Sequence, residues 1–115
     1  MALTYVCSPL SAPTRAEMLA NAAKASTYMM KAEQEFGNRA VAPHAYLPFL
    51  LDDTAPEERA LALEFGQKLL AMCTRLVVYG DRISSGMSAE IMIAEELGIP
   101  VLQRPGLLKI GRAHV

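Results

Sequence analysis

Long apolar runs are missing from this sequence: no stretch approaches the roughly 18 residues that a membrane-spanning helix needs. An excess of charge of one sign is missing too. Lys and Arg number 11 against 12 Asp and Glu, for a net charge of −1. That balance excludes the broad basic face of a nucleic-acid binder and gives no attraction to an anionic membrane. Cysteine is scarce, with only Cys7 and Cys73, and their spacing fits neither a disulfide framework nor a metal site. Both lie in apolar surroundings and read as buried, reduced thiols, which points to the cytoplasm. Residues 1–7 lack the charged region and long apolar stretch of a secretory leader. There is no internal repeat and no low-complexity tract.

Apolar content is high. Of the 115 residues, 52% are hydrophobic and 20% are charged, which rules out disorder and supplies one core but not two. Residues 3–7 are β-rich and end at Ser8-Pro9, which predicts a first strand at the centre of a sheet. Thr14 and Glu17 form a capping-box pair that opens a helix. Met18, Ala22, Ala25, Met29, Ala32 and Phe36 make its inner stripe, and Gly37 supplies a left-handed stop. A second strand is expected over residues 40–42, before Pro43-His44. Residues 45–53 are expected to be irregular, because Pro48 interrupts regular structure.

A second helix is expected to open at Thr54, with Glu57 as capping partner and Pro56 in the first turn. Its predicted inner stripe is Leu61, Phe65, Leu69 and Met72. Gly66 inside that helix costs about 1 kcal/mol against Ala, and close packing on a neighbouring element is the expected reason. Residues 76–79 are the strongest strand, residues 86–97 a third helix stopped by Gly98, and residues 100–102 a fourth strand. Strict alternation predicts an α/β fold. The expected form is a three-layer Rossmann or flavodoxin-like domain over residues 1–109, with a parallel sheet of four or slightly more strands. Ligands of such sheets bind beyond the C-terminal strand ends. Residues 109–115 read Lys-Ile-Gly-Arg-Ala-His-Val, a peptide that resembles the translation of a sequencing-adapter read-through. Residues 110–115 are therefore expected to be a non-native tail replacing the natural C-terminus, and His114 receives no role.

Four segments converge on the ligand end of the sheet: Cys7-Ser8-Pro9, Pro43-His44, Gly80-Asp81 and residues 84–90. The last is a Ser/Gly-rich loop that runs into a helix start, where free N–H groups and the positive dipole end suit an anion such as a nucleotide phosphate. Neither the dinucleotide nor the Walker glycine pattern is present, so no NAD or ATP cofactor follows. Glu90, one turn further on, is placed to face the strand ends near Asp81. Two such carboxylates can divide nucleophile and acid roles in glycosyl transfer. The plainer readings are a dipole-favoured surface Glu and a turn-forming Asp. His44 reads equally as a base-contacting or acid residue or as a structural histidine hydrogen-bonded to a loop carbonyl. Asp52 and Asp53 read as a turn, and no metal is expected.

Tyr5-Val6-Cys7-Ser8-Pro9 resembles the opening strand and loop of the nucleoside 2-deoxyribosyltransferase-like superfamily. Gly80-Asp81 followed by Ser84, Gly86 and Glu90 resembles its central motif, in which a Gly precedes a catalytic Glu by four residues. Small bacterial and phage domains of unknown function in that superfamily are more similar still. They share Ala42-Pro43-His44, Leu51-Asp52-Asp53, Pro56-Glu57-Glu58-Arg59 and the run from Gly80 to Ser84 with Gly86-Met87. The resemblance implies that Glu90 attacks the anomeric carbon of a (deoxy)ribosyl group while Asp81 protonates or positions the departing base. It further implies that Ser84, Gly86 and Ser88 hold the sugar or its 5′-phosphate, with Tyr5 and Ser8 on the floor beside the sugar. His44 and Gly80, at the same strand ends, are expected among the substrate-binding residues. The substrate is expected to be a nucleoside or nucleotide, and the chain a homodimer or higher homo-oligomer. Two other functions stay open at this point: a non-catalytic nucleotide-sensing module, and an NAD-cleaving glycohydrolase.

Overall fold

The computed structural model describes residues 2–10, 12–51 and 55–106. The predicted tail, the turn expected at Asp52-Asp53 and the helix start expected at Thr54 lie outside them. Four strands, β1 (Leu3–Cys7), β2 (Arg39–Val41), β3 (Arg75–Tyr79) and β4 (Val101–Arg104), form one parallel sheet in the order β2-β1-β3-β4. Three long helices connect them: α1 (Arg15–Phe36), α3 (Pro56–Ala71) and α4 (Ser85–Glu96). The α/β class and the four-stranded parallel sheet thus match the sequence reading, with β1 central.

Side-chain alternation along β1 and β3 feeds two cores. Val6, Val77 and Tyr79 pack against Ala25, Tyr28 and Ala32 of α1 on one face. Tyr5, Cys7, Leu76 and Val78 pack against Leu70, Met87 and Ala94 on the other, beneath α3 and α4. The first connection runs from β1 outward to β2, and later connections run the opposite way across β1. The strand order therefore reverses between β1 and β3, and in open parallel sheets that reversal opens a crevice at the C-terminal strand ends.

α1 follows its pattern closely. The Thr14 hydroxyl accepts from Glu17 N at 3.2 Å, and Gly37 ends the helix at φ +70°. Two expectations need correction. Residues 47–50 form a short helix, α2, because Pro48 sits in its first turn, where the missing N–H has no partner to lose. α3 begins after Ala55, with no side-chain cap at that position. Its predicted inner stripe is also rotated: Leu61, Phe65 and Met72 are 56%, 52% and 66% exposed. The face turned inward carries Ala62, Gly66 and Leu70 instead. Small side chains there contribute little hydropathy, so the bulkier outer stripe dominates the pattern.

Candidate active site

β1 aims Tyr5 and Cys7, two residues apart and so on one face, at the underside of α4. Both side chains are buried. α4 is fixed by its own start: Ser84 Oγ accepts from Met87 N at 3.3 Å, and Ser84 N donates to Met87 Sδ at 3.4 Å. Met87 is buried, and Glu90, one turn on, falls on the same inward side. The Tyr5 hydroxyl donates to Glu90 Oε2, and the Cys7 thiol donates to Glu90 Oε1 at 3.5 Å. Each oxygen of the half-buried carboxylate thus receives one donor from the central strand.

The electrostatics agree with this geometry. Burial pushes the Glu90 carboxyl above its ordinary range, while the hydrogen bonds from Tyr5 and Cys7 pull against that rise. Burial first, and then the neighbouring Glu90 charge, push Tyr5 and Cys7 far up. Both therefore keep their protons and stay donors at any physiological pH.

A cavity of 280 Å³ opens beside this triad, near the lower end of the roughly 300 Å³ expected of small-molecule sites. Tyr5, Ser8, His44, Ser84, Gly86 and Glu90 all line it. Ser8 Oγ and His44 Nε2 lie 2.7 Å apart, a hydrogen bond that ties the ends of β1 and β2 together. Burial pulls the His44 pKa down to about 4, so the ring is neutral at neutral pH. Leu10, Met18, Leu63, Leu70 and Ile93 supply an apolar wall.

The cavity does not include every residue expected there. Gly80, Asp81 and Ser88 are not among its lining residues. Asp81 and Ser88 are exposed. Gly80 sits at φ +111°, and a Cβ on it would come 3.1 Å from Pro9 Cδ, so the fold itself calls for glycine there. The expected pairing of Glu90 with Asp81 in one pocket is thus not brought together; a tyrosine and a thiol flank the carboxylate instead. Sequence reasoning missed Cys7 as a neighbour of Glu90, although the two-residue alternation with Tyr5 carried the signal. It also missed Arg59 and Gln67 of α3, which line the cavity. Among the described residues, no group of three His, Cys, Asp or Glu is arranged to hold a metal ion.

Comparison with known proteins bears on the fold and the family. The chain is similar to the solved structure of a 2-deoxyribosyltransferase from the psychrotolerant bacterium Bacillus psychrosaccharolyticus. The TM-score is 0.66 at 19% identity, over 90% of this chain and 72% of that one. At that identity the likeness establishes the shared fold. No curated protein matches the chain. The family model for a domain of unknown function, DUF7768, matches residues 2–104. The chain is therefore a member of the DUF7768 family.

Proposed function

We propose that this protein cleaves or exchanges the base of a (deoxy)nucleoside or its 5′-monophosphate, with Glu90 as nucleophile. One observation carries the reading: a carboxylate held at both oxygens by buried donors lines a cavity of small-molecule size. The similarity in fold to a 2-deoxyribosyltransferase supports it, as does the nucleoside 2-deoxyribosyltransferase-like motif formed by Ser84, Gly86 and Glu90. In this reading a Glu90 oxygen attacks C1′ of the sugar. The C1′–N bond breaks as the glycosyl ester forms, and the base departs with its bonding electron pair and is protonated. Water or a second base then attacks C1′ and frees the carboxylate.

The start of α4 at Ser84, Ser85 and Gly86 is assigned to the sugar or its 5′-phosphate, with Arg59, which lines the same cavity, as the cation. Ser8 and His44 are assigned to the substrate as a neutral hydrogen-bonding pair. Asp81, exposed at the β3 corner and outside the cavity lining, is assigned no step, and the departing base takes its proton from solvent in the open cavity. Holding a buried charge by two donors favours turnover over passive sensing, since a sensor gains nothing from a poised nucleophile. A homodimer is part of the proposal, because the exposed side chains of Met30, Tyr46 and Phe65 line one groove.

Base release from a panel of 2′-deoxynucleosides, ribonucleosides and their 5′-monophosphates tests the mechanism. Glu90→Gln is expected to lose at least about 1,000-fold in turnover, and Asp81→Asn to stay within about twofold of wild type. Undiminished turnover by Glu90→Gln removes Glu90 from the chemistry.

A further inference from the structure

Gly66 has no structural reason to be glycine. It lies mid-helix in α3, where glycine weakens the helix relative to Ala. Its backbone does not require it: the positive-φ glycines are Gly37, Gly80 and Gly98. Packing does not require it either. Among the described residues, a Cβ on Gly66 would meet only the Tyr5 hydroxyl oxygen, at 3.6 Å, an ordinary contact. Gly106 shows the contrast, since a Cβ there would come 2.9 Å from Gly80 Cα. The close packing expected from the sequence is therefore absent at Gly66.

What Gly66 does border is the cavity, between Ala62 and Leu70 of the same helix face. The atom its side chain would touch is the oxygen that donates to Glu90. We propose that Gly66 is a specificity-determining residue: its missing side chain keeps open the space beside the Tyr5–Glu90 pair for the sugar of the substrate. This rests on the glycosyl-transfer reading, because the group nearest the nucleophile is then the sugar ring. A methyl group at this position narrows that space by about the room one hydroxyl takes. Ribosyl substrates, bulkier by the 2′-oxygen, therefore lose more than 2′-deoxyribosyl ones.

The test is a graded series, Gly66→Ala and Gly66→Leu, measured for thermal stability and for base release from the same panel. Gly66→Ala is expected to raise Tm by about 4 °C, through restored helix propensity. It is also expected to lower kcat/KM by about tenfold, mainly through KM, and Gly66→Leu to lower it further. A lower Tm in Gly66→Ala would make this a packing glycine and overturn the proposal. A higher Tm with kcat/KM within about twofold of wild type would show the space to be unused, and would overturn it equally. A wild-type protein that releases no base from any panel member sinks the glycosyl-transfer reading and this inference with it, an outcome distinct from the other two.

Discussion

Burial raises the Glu90 pKa, while the Tyr5 hydroxyl and the Cys7 thiol, each donating to one oxygen, hold it down. In the proposed mechanism only the ionised form attacks C1′, so the acid limb of kcat/KM is expected to report this carboxyl. Tyr5→Phe removes a donor to the charged form without changing ring size. The acid limb is then expected to move to higher pH, and a limb that stays in place would detach Tyr5 from Glu90. His44 acts on stability with the opposite sign. Its folded pKa of about 4 lies below its ordinary 6.5. Its neutral form therefore favours the folded state fully above pH 6.5. That contribution is lost as pH falls from there through the folded value, at up to about 1.4 kcal/mol per pH unit. Urea unfolding at pH 7 and pH 5 is expected to show a steeper loss in the wild type than in His44→Asn. Both groups were visible in the sequence, Glu90 through its motif and His44 through its place after a strand. Cys7 was read as a buried thiol in a segment that reaches the ligand end; its alternation with Tyr5 put both on one face, but its apolar surroundings drew attention away from the carboxylate it meets.

α4 carries Glu90, and its register depends on one cap. Ser84→Ala deletes the acceptor for Met87 N and is expected to cost about 1 kcal/mol in chemical denaturation, while Ser84→Asp keeps most of the stability. The elements differ in how plainly the sequence announces them. α1 alternates small apolar with polar residues, so its buried stripe of Ala22, Ala25 and Ala32 stands out, though Tyr28 was missed. β1 and β3 are short apolar runs bounded by turn residues, and strand one was placed to the residue. α3 is apolar on more than one side: Leu61, Phe65 and Met72 outline a helical stripe as well as Ala62, Gly66 and Leu70 do. Periodicity cannot choose between faces about 100° apart when the inner one is built from small side chains. The same rotation hid the α3 wall of the cavity, including Arg59 and Gln67.

At the scale of the molecule, exposed Met30, Tyr46 and Phe65 border a groove that also holds Glu33 and Arg39 along the edge strand β2. Opposite charges in one groove are self-complementary about a two-fold axis, as a homodimer requires. The edge itself is guarded, because Glu33 Oε2 accepts from Ala40 N at 3.0 Å and occupies an outward donor. Assembly is therefore expected through side-chain faces rather than by strand pairing. Sedimentation should show a dimer, and Phe65→Glu a folded monomer with an unchanged far-ultraviolet spectrum; a monomeric wild type would end the proposal. Within each chain, the donors to Glu90 sit on a strand flanked by neighbours on both sides. The partners of the proposed nucleophile cannot drift away while the sheet stays zipped. Heat should thus abolish catalysis and native structure in a single step, with no partly melted yet folded form to be rescued by ligand.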